Sequence, residues 1–121
     1  MPHKDPETRR AYHRTYMKKR YAEDKEFKRK HKERAARNDL KYREAGKQVI
    51  LEWKKQGCVL CGEKEACCLD AHHIDPTTKK FTVGEALSRK RTAASIKLEL
   101  KKCACLCANC HRKFHAGILT L

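Results

Sequence analysis

Cys107-Ala108-Asn109-Cys110-His111-Arg112-Lys113-Phe114-His115 carries two kinds of metal-ligand spacing within one short run. Its CxxC pair supplies two thiolates, and His111 and His115 stand one helical turn apart on the same face. Upstream, Cys58-Val59-Leu60-Cys61, followed by Gly62, repeats the CxxC pattern. Together the pairs offer four thiolates, the closed tetrahedral set that zinc prefers, so a structural Zn2+ is expected on Cys58, Cys61, Cys107 and Cys110. The pairs are separated by the 45 residues 62–106, against about 15–20 in a simple zinc ribbon. A segment with its own structure is therefore inserted between them.

Inside that insertion Cys68-Leu69-Asp70-Ala71 runs into His72-His73, and Ile74-Asp75-Pro76 turns the chain. The run reads as a strand ending in two histidines, with Pro76 keeping Asp75 extended. Neighbours on a strand point to opposite faces, so one histidine can ligate a metal while the other faces a different groove. Cys103, Cys105 and Cys107 alternate as on a second strand. Cys67, Cys68, Cys103 and Cys105 lie outside the four-thiolate set. A second structural zinc is the alternative to reading Cys103 and Cys105 as small buried hydrophobes, and burial is the expectation. Between the histidines and the second strand, Phe81-Thr82-Val83 reads as a short extended piece. Ser88 to Thr92 reads as a basic loop near phosphates, with Arg89, Lys90 and Arg91. Ala93 to Lys102 reads as a helix with Ile96 and Leu100 on one side. The apolar end, Ile118 to Leu121, is expected to pack or to mediate dimer contact.

The first half is different in kind. Residues 1–57 hold 19 Lys and Arg against 9 acidic residues and no cysteine, while residues 58–121 hold every cysteine. Asp5 caps a helix with Pro6 at its first position, continuing over residues 7–21 with Tyr12 and Tyr16 on one face. Asp24 caps a second helix from Lys25 to about Lys55, which Gly46 either kinks or divides. Val49, Ile50 and Trp53 form its apolar stripe, expected to pack on the cysteine-rich half. His3, His13 and His31 are expected to be solvated. Two domains follow: a basic helical arm over 1–56 and a zinc-stapled domain over 57–121.

Thirty Lys and Arg against 15 Asp and Glu give a formal charge of +15 in 121 residues. Such an imbalance points to a polyanionic partner, because basic side chains release counterions condensed on phosphates. Phosphate contacts are expected from Arg9, Arg10, Arg14, Lys18, Lys19 and Arg20 in the first helix. Lys28, Arg29, Lys30, Arg34 and Arg37 continue them in the second, and Arg89, Lys90, Arg91 and Lys113 lie near the site. No apolar run approaches the ~20 residues needed to span a bilayer, so no membrane partner is expected. The amino terminus runs directly into charged residues without an apolar segment. With thiols kept reduced, an intracellular location and metal rather than disulfides are expected.

The ordered set Cys58-x-x-Cys61, Leu69-x-x-His72-His73-Ile74-Asp75-Pro76 and Leu106-Cys107-x-Asn109-Cys110-His111-x-x-x-His115 resembles the zinc-containing HNH endonucleases of phages and prophages. The likeness covers about residues 57–117. It implies an α+β fold with a ββα-metal core and a structural zinc knuckle of four cysteines, preceded here by the basic helical region. By position, His72 and His111 would ligate one catalytic divalent ion, with His115 matching a third ligand. His73 would be the general base, and Arg112 would add charge beside the site. The implied activity is hydrolysis of phosphodiester bonds in double-stranded DNA, by nicking or cleavage, in a bacterial or phage-infected host cytoplasm. Mg2+, Mn2+, Zn2+ and Ni2+ all remain open as the catalytic ion, although imidazole ligands suit Mg2+ least. A homodimer or phage packaging proteins are further partners the resemblance allows.

One departure from the family stands out. The middle asparagine, which holds the active-site loop, has no counterpart in Glu99-Leu100-Lys101-Lys102-Cys103, so loop support must come from elsewhere. Two rival readings share the charge and the cysteines. One is a non-catalytic zinc module that binds nucleic acid, the other a partner-dependent subunit of a phage packaging assembly.

Overall fold

The computed structural model describes residues 4–121, so His3 lies outside the described residues. Helix α1 spans Pro6–Glu23 and helix α2 spans Lys25–Lys54. The Asp5 carboxylate accepts from the Thr8 N–H at 2.8 Å, and Pro6 occupies the first turn. Asp24 ends α1 with its own N–H on the Arg20 carbonyl, then caps α2 through the Phe27 N–H at 3.0 Å. A single aspartate thus serves two helix ends whose backbone groups would otherwise lack partners. His31 is not simply solvated. Its ring lies 5.6 Å from Tyr21 and 5.9 Å from Phe27, over which the Arg20 guanidinium stacks.

The chain divides by packing into Met1–Asn38 and Asp39–Leu121. The change in charge and cysteine content near Gly57 lies further along, so residues 39–56 pack as part of the cysteine-rich unit. Helix α2 continues through Gly46 without ending there. That glycine is buried, and a Cβ at this position would stand 2.8 Å from Leu87 and 2.9 Å from Ile96. The glycine answers to close approach rather than to chain reversal.

Within this unit the fold is α+β. Strand β1, Leu69–His73, pairs antiparallel with strand β2, Cys103–Cys107, in the register Leu69 to Cys107 and His73 to Cys103. Helix α3, Ala93–Leu100, precedes β2, and helix α4, Ala108–His115, follows it directly. Thr92 caps α3 through the Ser95 N–H, and the Cys107 sulfur caps α4 through the Cys110 N–H at 3.3 Å. Phe81-Thr82-Val83 forms no strand: Thr82 keeps extended backbone, but Val83 already opens a turn. Phe81 and Val83 are both buried, and Val83–Glu85 closes one tight 3-10 turn on the Thr82 carbonyl.

Two apolar clusters result. Cys58, Leu69, Cys105, Leu106, Cys107 and Cys110 form the first, and Phe81, Val83, Ala86, Ile96 and Leu100 the second. Trp53 packs against both, while Val49 and Ile50 pack on the second, as their spacing predicts. Cys105 is fully buried, and the thiol of half-buried Cys103 is pushed up to about 11 by desolvation and the Glu99 charge. Both behave as small hydrophobes, whereas Cys67 and Cys68 are exposed. Of the last residues only Leu119 packs; Ile118 and Leu121 are exposed. Among the described residues no disulfide forms, and no helix is long and apolar enough to cross a membrane.

Candidate metal centre and cleft

Cys58 and Cys61 come from the loop after α2, Cys107 from the end of β2, and Cys110 from the first turn of α4. Their sulfurs all lie within 4.8 Å of one another, with Cys61 and Cys107 at 3.5 Å. Thiolates on a tetrahedral zinc at about 2.3 Å stand about 3.8 Å apart, so the set matches that ion closely. Burial works against ionising Cys58, but the backbone N–H groups of Cys107, Cys61 and Leu60 outweigh it and bring its pKa down to about 6. Cys110 is pushed up to about 12, first by the Cys107 sulfur and then by desolvation. Four sulfurs therefore compete for few protons in one small volume. A dication relieves all four together, and these cysteines can hold a metal ion such as zinc.

A second convergence stands where β1 meets α4. His72 Nδ1 lies 3.2 Å from His111 Nε2, and His111 Nε2 lies 3.1 Å from His115 Nε2. One proton on His111 cannot satisfy both neighbours. Nitrogens bound to one ion at about 2.0–2.1 Å sit about 3.3 Å apart in a tetrahedron, close to the spacing seen. Burial, reinforced by the nearby imidazoles, lowers the His72 pKa and keeps it a neutral donor. Phe114 packs on its ring at 4.5 Å between centroids.

Asp70 supplies what sequence reading missed at this centre. Its Oδ2 lies 3.3 Å from His111 Nδ1, so the ring's other nitrogen faces His72 and His115 with its lone pair. Asp70 is two residues from His72, and strand alternation alone puts both on one face. His73 points elsewhere: its Nε2 lies 2.8 Å from Glu99 Oε1, with side-chain exposures of 9% and 2%. Glu99 was also missed. The signal was a carboxylate falling on the apolar stripe of Ile96 and Leu100, where solvent cannot reach it.

A cleft of about 700 Å³ opens over this region. His72, His73, His111 and His115 line it, together with Lys47, Lys54 and Lys79. Of these lysines, Lys54 donates to the Ala66 carbonyl at 3.3 Å. Arg112 and Lys113 are exposed on α4.

No family model, curated protein or solved structure matches this chain.

The basic residues expected to meet phosphate are not equivalent. Arg9, Arg10, Arg14, Lys18, Lys19, Lys28, Arg34 and Arg37 are exposed. Arg29 is gripped by Glu26 and Glu33 at 2.5 and 2.8 Å, with Lys30 also near Glu26. Arg20 lies 4.0 Å from Asp24. In the 88–92 loop, Arg89 pairs with Glu85, Lys90 pairs with Asp39 at 3.1 Å, and Arg91 stacks on Phe81. Those three side chains have local partners, so the loop is a weaker source of charge than its sequence implies.

Proposed function

We propose that the chain is a metal-dependent endonuclease of the HNH type that hydrolyses phosphodiester bonds in double-stranded DNA. The observation that carries this reading is the convergence of His72 Nδ1, His111 Nε2 and His115 Nε2 in an open cleft shared with His73. A purely structural site would be closed; three imidazoles leave further coordination positions available for a ligand.

The donor set suits a borderline divalent ion such as zinc, nickel or manganese better than magnesium. His72, His111 and His115 would hold the ion, which when bound would supply Lewis-acid charge toward the leaving oxygen. Asp70 fixes the orientation of His111 through Nδ1. Lys47 and Lys79 attract the backbone phosphate into the cleft. His73 accepts a proton from water, whose oxygen attacks phosphorus in line while one P–O ester bond breaks. The departing oxygen then takes a proton from solvent. Arg112 and Lys113 extend the positive surface beside α4. The exposed cations of α1 and α2 supply sequence-independent affinity.

Plasmid cleavage tests the reading, comparing the wild-type chain with His73→Ala in each of the four divalent metals and in chelator. Metal-dependent nicking or linearisation by the wild type, lost in His73→Ala at unchanged DNA affinity, is the expected result. Tight binding without cutting under every metal would favour the non-catalytic module.

A further inference from the structure

Glu99 is the most deeply enclosed charged residue in the fold, 1% exposed at the end of α3. A carboxylate in such a place must satisfy its oxygens or lose its charge. Oε1 accepts from the Lys80 N–H at 2.9 Å and stands 2.8 Å from His73 Nε2. Oε2 accepts from Lys102 Nζ at 3.0 Å, and the same ammonium donates to the Thr78 carbonyl at 2.8 Å. Three segments therefore meet on one side chain: the end of β1, the loop at residues 78–80, and the turn leading into β2.

The protonation pattern follows from these partners. A carboxylate accepts only, so the His73 nitrogen facing it carries the proton, and Nδ1 keeps the lone pair. The Lys102 ammonium supplies a positive partner for the Glu99 carboxylate. When Nδ1 takes up a proton, the carboxylate at the opposite side of the ring stabilises the imidazolium.

We infer that Glu99 is the positioning residue for His73, holding the imidazole as its Nε2–H tautomer with Nδ1 free to accept a proton, and tying the 78–80 loop to the same carboxylate. This role takes the place of the loop-holding asparagine that the chain lacks, and it rests on reading His73 as the general base. Glu99 itself touches no substrate. It acts through the ring.

Two measurements on the full zinc-loaded chain test the inference. Long-range proton–nitrogen correlation spectra report where the His73 ring proton resides. A resolved proton on Nε2, well downfield of free imidazole, is expected in the wild type. A proton on Nδ1, or no resolved ring N–H, would overturn the assignment whether or not the protein cuts DNA. The second measurement is steady-state cleavage by Glu99→Gln, which keeps an acceptor for the Lys80 N–H but removes the charge facing His73. The expected loss in kcat is at least about 10-fold, with KM within about threefold of wild type, since ground-state binding is untouched. A folded Glu99→Gln protein with wild-type kcat would equally overturn it. If Glu99→Gln does not fold, the wild-type spectrum decides. If the wild type cuts nothing, the nuclease reading falls, while the ring-proton result still determines whether Glu99 positions His73.

Discussion

Replacing Cys58 with serine tests how far the cysteine-rich unit depends on a metal held by Cys58, Cys61, Cys107 and Cys110. The cluster around the four sulfurs contains six buried residues, and four of them are cysteines: Cys58, Cys105, Cys107 and Cys110. Among the buried members only Leu69 and Leu106 are large and apolar, worth about 1.5–3 kcal/mol each when fully buried, with Trp53 and Leu119 packed against them from partly buried positions. Zinc binding by a four-ligand site contributes about 10–16 kcal/mol in small domains, whereas net folding stabilities are about 5–15 kcal/mol. The metal term is thus as large as the whole stability. Serine at 58 removes the thiolate best prepared for ligation and leaves a hydroxyl in a 4% exposed position. The expected outcome is loss of the dispersed amide spectrum over residues 39–121, with bound zinc at the cysteine site falling in parallel by atomic absorption. Serine at exposed Cys67 should leave both unchanged. A Cys58→Ser protein with wild-type melting temperature and metal content would refute the argument.

Gly46→Val should lower stability by about 1–3 kcal/mol through overpacking against Leu87 and Ile96, seen as a lower denaturant midpoint with unchanged slope; a rise would show that α2 can shift freely. Deleting residues 1–38 removes 14 Lys and Arg against 6 Asp and Glu, so DNA affinity should weaken and its dependence on log salt should flatten. An identical salt slope would exonerate this segment of phosphate contact. For acid stability the sign comes from Glu99. Burial alone would raise its pKa, but the Lys80 N–H, His73 and Lys102 prevail and hold it at about 2, below the ordinary 4.5. Its contribution is therefore complete above about pH 5 and is lost as the pH falls toward 2. The stability gap between wild type and Glu99→Gln in urea should narrow over that range, and a constant gap would contradict it.

The metal-ligand spacings made most of the site legible before any coordinates. Closeness within each CxxC pair and between His111 and His115 is short-range geometry, whereas Cys61 meets Cys107 across 46 positions and His72 meets His111 across 39, as ligand chemistry anticipates. Strand alternation likewise separated His72 from His73. What stayed hidden depends on long-range packing. Asp70 and Glu99 gain their meaning only from residues 41 and 26 positions away. Gly46 looked like a helix breaker because its neighbours across the core, Leu87 and Ile96, cannot be read from local propensity. The 88–92 loop looked free for the same reason, since Asp39 and Phe81 are distant in sequence from the cations they occupy.

The two-strand ladder carries one last consequence. A pair of short strands is weakly committed to its alignment when isolated, and sliding by one residue exchanges the two faces. Here that slip would exchange His72 with His73, putting His73 beside His111 and His115 and His72 against Glu99. Cys107 stands opposite Leu69 at one end of the ladder, and His73 opposite Cys103 at the other. Whatever grips Cys107 therefore sets the frame in which the histidines are read four residues away. An ion held on those sulfurs would act as a bookmark for the strand pair, and chelation should release the register of the histidines together with the fold of residues 39–121.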